Sequence, residues 1–512
     1  MIQDFVHRSA ERWPEREALV AGDARLTWAE LERRSNALAH TYRSLGVARG
    51  DRVHLYLENT ADAVVAWWAA HKANAIPTVV NPLTRTEKLA WYLNDARATL
   101  LVGEAALAPF WSEAAKRAPH LKQVIATAPI DAAHTAGLRV SALADAMAAG
   151  KPGAAPPRES SEDDVAAIIY TSGSTGQPKG AMLTHRNIEH SSGVLVDVLS
   201  MTEQDVVLSA LTLAFNYGLY QAILTARSGA RLVLERSFAF PVKTLQRIAE
   251  ERATGFPGVP TMYAMMGGLK LLGLDFSSMR FLTNTAAALT PKHVAALNRL
   301  FPRAEIFSMY GLTECKRLAC LPPKDLLRKP DSVGLPMKGT ELWLVDEKGE
   351  RLAGAPGEIG ELVCRGPNVM KGYWENPEAT AAALKIDPRT GELAFHTGDL
   401  CRFDAEGYLY FLARKDDVIK SRGEKVAPKE VETALTELPG VKEAAVIGVD
   451  DELLGQAVKA FVVLEAGVSL TEREVQKQLA SRLELFMVPK HVVFVPSLPK
   501  TPTGKIAKTE LK

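Results

Sequence analysis

Apolar and polar positions switch between two periods along the first 400 residues. Thr27-Trp28-Ala29-Glu30 has the form of a capping box, in which the threonine hydroxyl and the glutamate carboxylate satisfy amides of a first helical turn. Leu31, Leu38, Tyr42 and Leu45 then recur on one helical face, and Gly46 supplies the stop. Val53–Leu57, Thr99–Val102 and Ala230–Leu234 read as strands, whereas Lys243–Ala253 has helical spacing. Such alternation predicts an α/β protein with largely parallel sheets. Ala149–Asp163, AGKPGAAPPRESSED, reads as a surface loop ahead of a strand. Near residue 400 the pattern changes: Gly398, Asp399, Gly407 and the run Arg414-Lys415-Asp416-Asp417 interrupt short strands. Beyond it lie a helix near Pro428–Leu438 and strands near Ala444–Val449 and Ala457–Leu464, enough for a small α+β domain. The expected architecture is a large N-terminal α/β domain of several subdomains, with mixed, mostly parallel sheets, over residues 1–414. A small α+β domain follows over 415–512. No internal repeat or low-complexity tract stands out.

Composition narrows the function classes. With 61 Lys+Arg against 60 Asp+Glu, the formal charge of +1 gives no global field to draw in nucleic acid or an anionic membrane. No basic stripe supports a nucleic-acid partner either. A chain of 512 residues can bury a large core without disulfide or metal staples. The four cysteines, Cys315, Cys320, Cys364 and Cys401, form no CxxC pair and lack zinc spacing, so reduced thiols are expected. Cys364 and Cys401 lie in strand-like runs, as small buried hydrophobes do. His185 and His190 are not at HExxH spacing and read as packing residues. The N-terminus has no apolar core of signal-peptide length. The longest tempting apolar run, Ala63–Ala70, stops at His71-Lys72 and is too short to span a bilayer. No membrane span and a cytoplasmic location are the expectations.

The chemistry concentrates in one loop. Val165–Tyr170, VAAIIY, reads as a buried strand that opens into Thr171-Ser172-Gly173-Ser174-Thr175-Gly176-Gln177-Pro178-Lys179-Gly180. Glycines let the backbone turn its amides toward one point, four hydroxyls add donors, and Lys179 adds a positive charge. These are the requirements of a polyphosphate cradle. The spacing is not that of a Walker A loop, and a flexible Gly/Ser linker seldom follows a buried strand directly.

TSGSTGQPKG resembles the signature loop of the adenylate-forming superfamily, which holds acyl-CoA synthetases, carrier-protein adenylation domains and luciferases. Further segments resemble that superfamily's motifs in order: Tyr310-Gly311-Leu312-Thr313-Glu314, Gly357–Leu362 with Gly372-Tyr373-Trp374, Thr397-Gly398-Asp399 with Arg414, and Pro502-Thr503-Gly504-Lys505. The resemblance runs from about Pro14 to Lys505 and implies a ligase that joins a carboxylic acid to AMP and then to a thiol.

What it implies for single residues follows. Thr171, Ser172, Gly173, Ser174, Thr175, Gly176 and Lys179 would hold the β- and γ-phosphates of ATP. Glu314 would bind Mg²⁺, which prefers a carboxylate plus phosphate oxygens. Thr313 would donate to the α-phosphate, and Tyr310 would face adenine. Asp399 would accept the ribose hydroxyls, with Arg414 beside it; on its own, TGD is common turn chemistry. Lys505 would be the catalytic lysine of adenylation. Asp416 aligns with a hinge about which the small, mobile domain turns, bringing in Gly423 and Lys425 as walls of a thiol tunnel. Ala413 replaces the glycine usual before the arginine.

The acyl end departs most from the pattern. Phe215, Asn216 and Tyr217 cover the acyl-pocket motif, with Ala286, Ala287 and Met309 on its other walls. Amino-acid-activating relatives carry Asp where this chain has Asn216, and a neutral amide cannot balance a buried ammonium. Phe215, Tyr217 and Met309 are apolar. A fatty, aromatic or other uncharged acid is therefore expected rather than an α-amino acid. Coenzyme A is the expected acceptor; the alternative is the phosphopantetheine of a separate acyl or peptidyl carrier protein, because the stretches YGLTECK and FNYGLYQ resemble stand-alone carrier-protein ligases. A nucleotide-binding scaffold without activity is the alternative of a different class. The presence together of Lys179, Glu314, Asp399, Arg414 and Lys505 argues against it.

Overall fold

The computed structural model describes residues 1–511 except 136, 172–177, 270–272, 286–288, 422–423, 452–453, 481, 484 and 502–504; for 416, 420, 424, 425 and 455 it describes the backbone only. The capping box forms as the sequence predicts. Thr27 Oγ1 accepts from the Glu30 amide at 3.2 Å, and Glu30 Oε2 accepts from the Thr27 amide at 2.8 Å. They open the helix Trp28–Ser44, whose Leu31, Leu38 and Tyr42 are buried. The expected strands appear as Arg52–Tyr56, Leu100–Gly103 and Arg231–Leu234, and the expected helix as Pro241–Glu250. The apolar run at 63–70 belongs to the helix Ala61–Lys72, every residue of which but Asp62 is buried. Lys72 lies in it with its ammonium on Glu32, Ser35 and Asn36. Among the described residues no helix is long and apolar enough to cross a membrane.

Contact density divides the chain into two compact units. The first comprises residues 1–330, 337–340 and 365–395; the second comprises 331–336, 341–364 and 396–512. The first holds a five-stranded parallel sheet ordered Ile76–Val79, Arg52–Tyr56, Leu100–Gly103, Gln123–Ala126, Arg139–Ala142. Its larger sheet runs Glu17–Ala21, Arg231–Leu234, Val206–Ser209, Gly255–Gly258, Phe281–Asn284, Glu305–Tyr310, all parallel. Antiparallel strands Ala24–Thr27 and Ala319–Leu321 flank it. A third, antiparallel sheet joins Val165–Thr171, Lys179–Thr184 and Gly372–Tyr373.

In the second unit, Glu341–Val345, Ile359–Arg365, Leu393–Phe403 and Leu409–Arg414 are neighbours in one sheet. A short 3-10 turn, Lys415–Asp417, leads from it into a second sheet built on the long pair Val441–Asp451 and Gly455–Leu464. The helices Pro428–Thr436 and Glu472–Ala480 bury Val431, Leu435, Val475 and Leu479 with Val446, Val458 and Val462 of that pair. The four cysteines are buried thiols outside any disulfide.

Three histidines are buried in the first unit. Among the described residues neither ring nitrogen of His71 has a hydrogen-bond partner, and His185 packs edge-on to His71 at 5.9 Å. Burial lowers His54 to about 3 and His185 to about 4, and pushes His71 well below its ordinary value. Each is neutral in the folded state but takes a proton in the unfolded chain below about pH 6.5. Stability is therefore complete above that pH and falls as pH drops toward the folded values, by about 1.4 kcal/mol per pH unit for each imidazole. Thermal melts across this range should show a steep fall in Tm that becomes shallower in His71→Phe, which removes one of the three imidazoles. A wild-type Tm that stays level down to about pH 4.5 would contradict this assignment.

Candidate active site

The three neighbouring strands Gly255–Gly258, Phe281–Asn284 and Glu305–Tyr310 are in parallel register, Gly258 beside Asn284 beside Ser308. Their carboxyl ends finish together, the edge at which open α/β sheets bind ligands. Tyr310 ends the last strand, and the chain turns back at once. The Leu318 amide reaches the Tyr310 carbonyl at 2.8 Å, and a Cβ on Gly311 would stand 1.8 Å from the Lys316 carbonyl oxygen. Only glycine permits this turn. It presents Thr313, half-buried, and Glu314, buried.

Tyr373 joins two of the expected site residues. Its hydroxyl donates to Glu314 Oε1 at 3.0 Å, and its ring lies 5.6 Å from Lys179 Nζ. The strand Gly372–Tyr373 reaches this position by pairing with Lys179–Thr184, Tyr373 opposite Ala181. The phosphate-loop residues Ser172, Gly173, Ser174, Thr175 and Gly176 lie outside the described residues. Their flanks, Thr171 and Lys179, face each other across an antiparallel ladder. A strand, not a helix, follows the loop; the next helix begins at His185. Among the described residues no helix N-terminus therefore adjoins the end of this loop.

Glu314 offers one carboxylate to a metal, and among the described residues no group of three metal-ligating side chains exists. A lone carboxylate fits Mg²⁺ as it is bound with nucleotides, the phosphate oxygens supplying the other ligands. Removing the Tyr373 hydroxyl frees Glu314 to turn away. Tyr373→Phe is expected to lower adenylation about 10-fold, the loss of one hydrogen bond to a charged group, and to raise the Mg²⁺ concentration needed. A Mg²⁺ titration of pyrophosphate release checks this; an unshifted curve would count against it.

On the acyl side, Asn59 braces the approach. Its amide donates to the Leu211 and Glu235 carbonyls at 2.9 and 3.0 Å and accepts from the Leu213 amide at 3.0 Å. Phe215 then stands half-buried at the start of the helix Asn216–Ser228. The Tyr217 hydroxyl donates to the Thr283 carbonyl at 2.7 Å, and burial pushes it up to about 12. Met309 is buried opposite Cys320. Ala286 and Ala287 lie outside the described residues. Asn216 Oδ1 does not face apolar surface: it accepts from Lys316 Nζ at 2.6 Å. Lys316 is 1% exposed, and burial, with Arg317 beside it, pushes it well below an ordinary lysine. Nothing in the local sequence signals this contact, which spans 100 positions.

In the second unit, Asp399 and Arg414 are cross-strand partners, and the guanidinium donates to Asp399 Oδ1 at 2.6 Å and to the Thr397 carbonyl at 2.9 Å. Thr397-Gly398-Asp399 is not a turn but lies within the strand Leu393–Phe403. The Thr397 hydroxyl donates to the Leu362 carbonyl and accepts from the Asp399 amide, while Gly398 takes a φ of +70° that leaves room for Arg414. Glu361 receives the Gly398 amide and Lys415 Nζ. Burial opposes its ionisation, but His396 and Lys415 hold it down at about 2. Lys505 is exposed in a hairpin closed by the Thr501 amide on its carbonyl at 2.7 Å. Asp416 lies in the 3-10 turn between the two sheets; its side chain and that of Lys425 lie outside the described residues, as does Gly423.

Residues 6–374 match the model of the AMP-binding enzyme family, and residues 430–505 match that of the AMP-binding enzyme C-terminal domain. The chain belongs to the AMP-binding enzyme family. Among its relatives are a feruloyl-CoA synthase of Amycolatopsis sp, 36% identical over 99% of this chain and 97% of that one, and a long-chain-fatty-acid–CoA ligase of Bacillus subtilis, 32% identical over 100% and 94%. A crystal structure of ATP-bound MatB from Rhodopseudomonas palustris superposes with a TM-score of 0.87 at 30% identity, covering 99% of this chain and 98% of that one. In this AMP-binding enzyme, sequence reading gave no role to Asn59 or Lys316, and saw Tyr373 only as part of a motif.

Proposed function

We propose that this AMP-binding enzyme is an AMP-forming acid–CoA ligase that uses the residues described above. A carboxylate oxygen of the acid attacks the α-phosphorus of ATP, the bond to the bridging oxygen breaks, and pyrophosphate leaves. The thiolate of coenzyme A then attacks the acyl carbonyl, the carbon–oxygen bond to AMP breaks, and the thioester forms. Negative charge gathers at the α-phosphorus in the first step, so catalysis is largely positioning and charge stabilisation. Lys179 and the loop after Thr171 hold the β- and γ-phosphates, and Thr313 donates to the α-phosphate. Asp399, fixed by Arg414, receives the ribose, and Tyr310 stacks against adenine. Lys505 supplies the ammonium that stabilises the transition state of adenylation. Glu314, oriented by Tyr373, would hold Mg²⁺, whose charge offsets that of the polyphosphate. Turning about Asp416 brings the Gly423 and Lys425 face to the thiol.

The observation that carries this reading is the patch in which Tyr373 touches both Glu314 and Lys179. It gathers a metal-binding carboxylate and a phosphate-binding ammonium at the end of a parallel sheet. The coenzyme A named in the relatives' activities supports that acceptor over a carrier protein. The test is pyrophosphate release and product mass across a panel of carboxylic acids with ATP and Mg²⁺, with and without coenzyme A. Acyl-CoA produced over many turnovers is the expected result. A single turnover that coenzyme A does not accelerate would move the acceptor to a carrier protein. ATP binding without release for any acid would leave the scaffold reading.

A further inference from the structure

Among the described residues, most buried charged side chains sit on an opposite charge. Lys72 sits on Glu32, Asp205 on Arg280, Glu251 on Arg25, Arg231 and Arg247, Glu361 on Lys415, Asp387 on Arg365, and Asp399 on Arg414. Lys72 shows how this fold stores an ammonium with no ligand to meet: a carboxylate, a hydroxyl and an amide oxygen surround it. Lys316 is more deeply buried, yet among the described residues its nitrogen has one acceptor, Asn216 Oδ1, and the face of Tyr220 at 4.6 Å. Its neighbour Arg317 has no carboxylate within ion-pair distance among the described residues. The Arg317 guanidinium lies over the Tyr217 ring at 5.0 Å, and its buried Nε has no hydrogen-bond partner. A guanidinium stacked on a ring keeps its in-plane N–H edge for a carboxylate. Lys316 also holds a left-handed backbone, φ +62°, which a side chain other than glycine adopts at a cost.

Lys316 and Arg317 follow Glu314 after Cys315, past the carboxyl end of the strand Glu305–Tyr310, and they meet Asn216 and Tyr217. This inference rests on the ligase reading, which puts the acid between those two elements. We propose that Lys316 and Arg317 bind a second carboxylate on the substrate, so that the enzyme activates one end of a dicarboxylic acid. Asn216 positions the lysine, and Tyr217 and Tyr220 wall the site on which the unreacted carboxylate rests. The same arrangement explains why Asn216 is an amide and not an acid. An aspartate there would neutralise Lys316 internally and leave nothing for the substrate.

The experiment is a length series of straight-chain dicarboxylic acids, each paired with the monocarboxylic acid of equal carbon count, assayed by pyrophosphate release with coenzyme A. For the best length, kcat/KM should favour the dicarboxylic acid by roughly 10²-fold, because the monocarboxylic analogue leaves buried donors unmet. Lys316→Met, which keeps the stem, should collapse that ratio by a similar factor. Arg317→Lys, which keeps a charge but not the fork, should lower it less. Monocarboxylic acids turned over as well as their partners at every length would overturn the proposal and leave the ligase reading standing. A Lys316→Met loss equal for both series would do the same, since it would make the lysine structural. If no acid of either series drives pyrophosphate release, the proposal is overturned, and the ligase reading is decided by the wider panel of carboxylic acids. If Lys316→Met fails to fold, the wild-type ratio decides the matter.

Discussion

Replacing Lys505 by alanine will lower acid-dependent ATP–pyrophosphate exchange by roughly 10²–10³-fold, the scale for removing one positioned donor at a developing charge. The fold gives this variant a clean interpretation. Lys505 is exposed, and its hairpin is held through the backbone: the Lys505 amide reaches Thr501 Oγ1 at 3.2 Å, and Lys500 bridges to Ile506. The apolar support beneath comes from Ile506 with Phe461 and Leu498. Truncating the side chain leaves these backbone and apolar contacts in place, and a melt of the variant separates a loss of exchange from a loss of folding. The loss should fall on adenylation: with synthetic acyl-AMP supplied, thioester formation should stay within a few-fold of wild type. Equal loss in both half-reactions would show that Lys505 supports the site as a whole. Exchange at the wild-type rate would remove it from catalysis.

Gly311→Ala is the second large effect, and its cause is steric rather than chemical. The added Cβ would meet the Lys316 carbonyl oxygen at 1.8 Å and its carbon at 2.8 Å, backbone against backbone with no rotamer to relieve it. The turn from Tyr310 to Leu318 must open, and with it the placement of Thr313, Glu314 and Lys316. Overpacking of this kind destabilises by about 3 kcal/mol or more, and turnover should be lost beyond the proportion of unfolded protein. A differential melt and a pyrophosphate assay on the same preparation check both. An alanine variant that melts and turns over like wild type would show that the turn is more compliant than described.

Much of the scaffold was legible because its signals are local. The Thr27–Glu30 capping box, the strand at Val165–Tyr170 and the burial of Cys364 and Cys401 depend on residues a few positions apart. The reading of Thr397-Gly398-Asp399 as turn chemistry in isolation shows the limit of such signals. The segment is a strand because the Thr397 hydroxyl caps the Leu362 carbonyl and Asp399 pairs across the ladder with Arg414, contacts that composition does not report. The acyl end was the least legible. Phe215, Tyr217 and Met309 spoke for an uncharged acid, but the neighbour that changes the chemistry, Lys316, comes from a distant turn that only glycine at 311 allows. Tyr373 was visible as part of a motif, yet its function as the link between Glu314 and Lys179 needs three segments brought together. Long-range pairings set by sheet register are what a single sequence carries least plainly.

The central claim is that an acyl-adenylate lies on the path, and isotope transfer tests it most directly. An acid labelled with oxygen-18 in both carboxylate oxygens would be turned over with ATP, Mg²⁺ and coenzyme A, and the phosphate products weighed by mass spectrometry. Attack of the carboxylate on the α-phosphorus, followed by thiol attack at the carbonyl, leaves one labelled oxygen in AMP and none in pyrophosphate. Label appearing in inorganic phosphate with ADP as the nucleotide product, or AMP free of label, would contradict the account.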